Sequence, residues 1–298
     1  MIPPRKLVFS GGGIKVVSIV GSLKILEQKG LLKKVNEASG VSAGAWLAFM
    51  LSCGLSIIKI EKLVLDLDFG VIRNLTPDAF LGFPETFGID DGSHLIKFLE
   101  SIMRIAMKMD PASTFDTIKR NKIQFRCWAT DLNTLTIREF SSEKTPSVRI
   151  VDALYASMAI PFYFTPPRDP INGHLLSDGG IQGSLPLHHL TDDECSESLA
   201  IGFCRNDPIK AEEPQDLMAF VNSIFSSILH IHNENMIKKW SHKIIRIPVD
   251  EFSSWNFEAS RDDRITLIKK GLEACEKWLL NKPNGIDRAR LILRRHSL

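Results

Sequence analysis

The stretch Ser39-Gly40-Val41-Ser42-Ala43-Gly44-Ala45-Trp46 decides how this chain is read. Ser42 stands at the centre of a G-x-S-x-G pattern, and an apolar run follows at once. Two readings compete. In one, Ser42 is a nucleophile on a sharp strand-to-helix turn, where only small neighbours tolerate the crowding. In the other, it caps a buried helix, as serine often does. The weakly apolar KKVNEAS (33–39) is a strand candidate ahead of it, and residues 43–53 read as an apolar helix behind it. The N-terminus of that helix would favour negative charge beside Ser42.

A serine hydroxyl is a poor nucleophile near neutral pH. It needs a base within hydrogen-bond reach and donors aimed at the developing oxyanion. SGGGIK (10–15) offers donors: three glycines after the β-prone KLVFS (6–10) and before a helical pattern that stops at Gly30. Their N–H groups are free to converge on an anion. Phosphate-loop spacings do not fit, because Lys15 comes too soon for one and Val16 replaces the third glycine of the other. An oxyanion hole at Gly11, Gly12 and Gly13 fits better. The base candidate is Asp178, in LLSDGG (175–180), at the end of an apolar run and before Gly179 and Gly180. With a reference pKa of about 3.9 it is a weak base unless burial raises that value. A plain turn aspartate is the alternative, and Asp90-Asp91-Gly92 is read only as such a turn starting a helix.

A triad would need a histidine. His174 lies nearest to Asp178 in sequence, but four positions along a strand is about 13 Å. His230 and His232 suggest a metal, but no third ligand is suitably spaced.

Together these stretches resemble the patatin-like phospholipase family, lipid acyl hydrolases with a Ser–Asp dyad. The resemblance is carried by Gly11-Gly12-Gly13-Ile14-Lys15, by residues 40–45, and by Asp178-Gly179-Gly180. CWATDLNT (127–134) and the S-x-A-I-P-x-x-F stretch Ser157–Phe164 add to it, so it spans roughly residues 5–205. It implies an α/β protein with a three-layer α/β/α fold and a mostly parallel central sheet. It implies Ser42 as nucleophile, Asp178 as its direct partner and the glycine loop as oxyanion hole, with no metal and no cofactor. Lys15, where the family mostly has arginine, keeps the charge without the planar fork and is a candidate anion or substrate contact. The implied activity is cleavage of fatty-acyl esters of phospholipids, of phospholipase A or lysophospholipase type, through an acyl-enzyme. Residues 1–265 are expected to form the catalytic domain, with 266–298 a helical, basic tail packed on it or extending from it.

Composition agrees with such a reading. A chain of 298 residues with 44% apolar content can bury one large core. A net charge of +2 gives no sign of nucleic-acid binding. The five scattered cysteines form no C-x-x-C pair, which fits a reducing, cytoplasmic compartment. No signal segment or membrane span is expected; peripheral contact with lipid is, since Arg288, Arg290, Arg294 and Arg295 lie among Leu and Ile.

Residues 78–89, with Phe80, Leu81, Phe83 and Phe87, are candidates for an acyl trough, a lid or a membrane-touching edge; ordinary core is the alternative. Met103, Met107 and Met109, expected on a helix, and the aromatic stretch 252–257 are weighed the same way. An amphipathic helix is expected over 214–232. Two other classes stay open: a non-catalytic lipid binder that keeps the fold, and a thioesterase, neutral lipase or acyltransferase using the same dyad.

Overall fold

Lys6–Phe9 form β1, the strand about which the sheet is built. The computed structural model describes residues 2–204, 213, 220, 223–224, 238–254 and 256–281. After β1 come α1 (Val17–Gln28), β2 (Glu37–Val41), α2 (Ala43–Ser52), α3 (Ile57–Asp66), α4 (Pro77–Thr86), β3 (Gly88–Asp90) and α5 (Ser93–Ile105). Then follow β4 (Gln124–Asp131), β5 (Thr136–Ser141), α6 (Ile150–Met158), β6 (Phe162–Phe164), β7 (Leu176–Asp178), α7 (Asp192–Glu197), β8 (Ser198–Cys204), β9 (Ile244–Pro248) and α8 (Arg261–Leu280). All of the expected helix over 214–232 except residues 220, 223 and 224, together with His230, His232 and the basic residues 288–295, lies outside the described residues.

The central sheet runs β5-β4-β2-β1-β8-β9, with β7 also paired to β4. The β1–β2, β1–β8, β2–β4 and β8–β9 pairs are parallel, and only β5 and β7 run antiparallel to β4. Both faces are covered, and the strands alternate between two apolar clusters. Leu7, Phe9, Phe125, Cys127, Leu199 and Ile201 face α1, α2, α6 and α8, whereas Val8, Val41, Trp128 and Ala200 face Leu185, Leu187, Leu190 and Cys195.

The second strand starts later than the sequence suggests, at Glu37 rather than residue 33, because Glu37 pairs with Lys6 in the ladder. Its polar start is neutralised within the fold. The Glu37 carboxylate meets Lys6 at 3.2 Å and also pairs with Arg126, which reaches Glu194 at 2.7 Å.

The helix α8 begins at Arg261 and packs on α1 at backbone distance. A Cβ at Gly271 would lie 1.7 Å from the Ser18 carbonyl oxygen, and one at Gly21 would lie 2.0 Å from that of Ile268. The Ser22 hydroxyl donates to the Gly271 carbonyl at 2.8 Å. Gly271→Ala is therefore expected to destabilise the protein by about 1–3 kcal/mol through overpacking, although alanine is the better helix former. The urea midpoint of the variant beside wild type checks this.

Candidate active site

Ser42 sits between β2 and α2 with φ 53° and ψ −134°, in the left-handed half of the map that a side chain seldom occupies. The crowding that forces this turn is backbone against backbone. A Cβ on Gly40 would lie 2.6 Å from the Gly44 carbonyl, and one on Gly44 would lie 2.5 Å from that of Ser10. The glycines of G-x-S-x-G thus let the turn fold on itself and press against the end of β1. Ser42 is the residue before the first turn of α2, yet its side chain makes no capping hydrogen bond. Its hydroxyl instead lies beside the Asp178 carboxyl, whose ionised form it favours. The helix-cap reading of Ser42 finds no capping hydrogen bond to support it.

The strand β4 brings the two residues together. Along one of its sides, Trp128 pairs with Val41 of β2, and the next residue, Ala129, pairs with Asp178 of β7. The ladder passes from one partner strand to the other at the point where Ser42 leaves β2. A close approach is needed there, and Gly179 allows it: a Cβ would lie 2.3 Å from the Trp128 carbonyl oxygen. Asp178 is buried, its Oδ1 accepting the Gly180 N–H at 2.6 Å. Burial pushes its carboxyl up to about 6, against the hydrogen bonds from Ser42 and the Gly180 N–H that favour the ionised form.

The glycine loop lies beside the serine. A Cβ on Gly11 would stand 3.0 Å from the Cβ of Ser42. The Gly11 N–H is committed to the Ser184 carbonyl at 2.9 Å. Among the described residues, the N–H groups of Gly12 and Gly13 make no backbone or side-chain hydrogen bond. Gly13 has φ 53° and lies under the loop at Ser254, whose carbonyl accepts the Ile14 N–H at 3.3 Å. Lys15 lies within electrostatic reach of Glu251, three residues before Ser254. The Glu251 carboxyl is held below its usual range, against desolvation, mainly by its hydrogen bond with Lys270, with Lys15 adding to the field.

Two residues escaped the sequence reading. Ser157 accepts the Ser42 N–H at 3.0 Å, and the loop at Ser254 covers the glycines. The S-x-A-I-P pattern marked the first without a role; nothing in FSSWNF signalled the second.

Other candidates fall elsewhere. The His174 ring Nδ1 is bonded to Asp131 Oδ2 at 2.8 Å, and Asp131 Oδ1 accepts the Asn133 and Thr134 N–H groups at the β4–β5 turn. His174 therefore fastens the end of β7 to that turn. His174→Ala is expected to leave ester hydrolysis within about threefold of wild type, as for substitutions outside the reacting geometry; kcat and KM measured side by side check it. Among the described residues no group of three His, Cys, Asp or Glu is disposed to hold a metal, and no helix is long and apolar enough to cross a membrane.

The apolar candidates divide. Met103 is core on α5, while Met107 and Met109 lie past the end of that helix, partly buried against the core. Phe252 and Phe257 also pack on the core, Phe257 with its ring 6.1 Å from that of Tyr163. Leu81, Phe87 and Phe162 are exposed, and Gly88 next to Phe87 pairs with Phe162 across the small β3–β6 sheet.

A mostly parallel sheet that presents a serine on a strained elbow to a buried carboxylate, beside a glycine loop, defines an α/β protein of the hydrolase class. The patatin-like phospholipase family matches residues 7–191, and the chain belongs to that family. An uncharacterized protein of Acanthamoeba polyphaga mimivirus is 27% identical over 290 residues, covering 94% of this chain and 95% of that one. A protein of Invertebrate iridescent virus 6 described as a probable lipid hydrolase is 25% identical over 283 residues, 94% of this chain and 90% of its own. The fold is similar to that of VipD from Legionella pneumophila, with a TM-score of 0.61 at 18% identity over 93% of this chain and 67% of that one. The type III effector protein ExoU gives 0.51 at 16% identity, over 93% of this chain and 53% of its own.

Proposed function

We propose that the protein hydrolyses fatty-acyl esters of phospholipids, as a phospholipase A or lysophospholipase, by acyl transfer through Ser42. The observation that carries the reading is the placing of the Ser42 hydroxyl, on its left-handed turn, beside the buried Asp178, where β4 passes from β2 to β7. Asp178 takes the Ser42 proton as the oxygen attacks the ester carbonyl. The N–H groups of Gly12 and Gly13 receive the oxyanion, and Gly11, bonded to Ser184, holds the loop against Ser42. Asp178 returns the proton to the departing alkoxide, here the lysolipid or glycerol oxygen. Water then loses a proton to Asp178, attacks the acyl-enzyme and releases the fatty acid, and the proton returns to Ser42. No metal or cofactor enters these steps.

Lys15 is assigned the contact to the anionic head group. Leu81, Phe87 and Phe162 are assigned the edge that meets the lipid surface; Phe87 and Phe162, at φ 57° and 64°, hold exposed aromatic rings on left-handed backbone. Residues 1–265 serve as the catalytic domain in this reading and 266–298 as its tail, in a protein working in the cytoplasm at membrane surfaces.

Incubating the purified chain with a fluorophosphonate probe and then with phosphatidylcholine vesicles tests this. Labelling at Ser42 with release of fatty acid is the expected result. A lipid binder that had kept the fold without the chemistry would take up lipid and leave the probe unreacted, and that outcome would overturn the proposal.

A further inference from the structure

We infer that Ser157-Met158-Ala159, where α6 ends, is a positioning clamp that holds Ser42 and Asp178 at once, Ser157 being the positioning residue for the nucleophile. The inference rests on reading Ser42 and Asp178 as the reacting pair.

The Ser157 side chain is fully buried and bridges two backbones. The Ser42 N–H donates to Ser157 Oγ at 3.0 Å, and Ser157 Oγ donates to the Trp128 carbonyl at 2.6 Å. The direction of both bonds is fixed, because an amide N–H can only donate and a carbonyl can only accept. The hydroxyl proton therefore points to Trp128, and a lone pair points to Ser42.

Two residues on, the Ala159 carbonyl accepts the Asp178 N–H at 2.8 Å and the Ser177 hydroxyl at 2.9 Å. The opposite side of Asp178 is held as well, by Thr130, whose hydroxyl donates to the Asp178 carbonyl at 2.9 Å. One short stretch thus fixes the backbone of both reacting residues. It does so where the β4 ladder changes partner, between Trp128 and Ala129, and where regular sheet pairing no longer ties Ser42 down.

The chemistry explains why a hydroxyl is needed. Ser42 keeps an unfavourable φ of 53°, and a strained residue persists only when its surroundings over-determine it. Its N–H is buried, and without Ser157 Oγ it would have no acceptor. The backbone would then relax toward a conformation that finds one, and the Ser42 oxygen would swing away from Asp178. Pro161 ends the stretch and keeps α6 from running on through Ala159.

Full-length Ser157→Ala, Ser157→Thr and Ser157→Val proteins test this with two readouts: kcat and KM on p-nitrophenyl butyrate, and amide hydrogen exchange of peptides spanning residues 40–44. Alanine and valine are expected to lower kcat about 10- to 100-fold, as small misplacements of reacting groups do, with KM within about threefold. Exchange over 40–44 should speed up in both while the rest of the chain is unchanged. Threonine and valine have nearly the same shape, so they share any crowding and differ in the hydroxyl. Threonine is expected to keep kcat at least about tenfold above valine and to slow the exchange again. Equal threonine and valine proteins in both readouts, or an alanine protein like wild type in both, would overturn the clamp. If wild type cleaves no ester, the reading of the reacting pair fails, and the exchange comparison still decides whether Ser157 holds Ser42.

Discussion

Ser42→Ala is expected to abolish ester hydrolysis and fluorophosphonate labelling, a loss on the order of 10⁴-fold or more, as removal of a catalytic serine gives elsewhere. The reason lies in the geometry. The hydroxyl is the group set beside the buried Asp178 carboxyl, and alanine has none to offer. The fold should survive. Ser42 Oγ makes no capping bond to α2, and the backbone N–H that Ser157 accepts is still present in alanine. Hydrolysis with a soluble ester, beside circular dichroism of the same preparation, checks both halves. Activity that persisted in a folded variant would place the reacting atom elsewhere.

Asp178→Asn is the second large effect, and it has two opposite parts. Activity should fall about 10⁴-fold, since an amide cannot take the Ser42 proton. Stability should move the other way. Burial raises the Asp178 carboxyl from 3.8 in the free state to about 6 in the fold. A raised acid favours folding fully below its unfolded pKa, and that contribution is lost as pH climbs through about 6. At pH 8 the folded protein therefore carries a buried carboxylate costing up to about 3 kcal/mol, which asparagine does not carry. The variant should be more stable than wild type at pH 8, with the gap closing toward pH 4. Denaturant midpoints at the two pH values measure it. The same value sets the pH dependence of wild type: kcat should rise as Asp178 ionises through about pH 6 and fall away below it.

The parts of the site written in neighbouring residues were legible from the chain. G-x-S-x-G, the triple glycine and Asp-Gly-Gly each mark a place where backbone approaches backbone closer than a Cβ permits, and Gly44, Gly13 and Gly179 show such contacts. Alternating strand and helix signals gave the parallel sheet for the same local reason. Less legible were elements whose limits are fixed by partners. The start of β2 follows its register with β1, and its polar residues are tolerated because Lys6 and Arg126 neutralise Glu37. Met107 and Met109 looked helical by spacing, yet α5 ends at Ile105 and the chain turns back, the Met109 N–H reaching the Met103 carbonyl at 3.0 Å.

By itself, then, the sequence determined the sheet type, the family, and which serine, aspartate and glycines were candidates, because steric crowding within a few residues leaves its mark in those residues. The tertiary structure decided that Ser42 and Asp178 are brought side by side, that His174 turns to Asp131, and that the Ser42 N–H finds Ser157. Those contacts depend on β4 exchanging β2 for β7 between Trp128 and Ala129. A ladder that joins segments far apart in the chain is set by the summed packing of the whole sheet, and no local pattern encodes it.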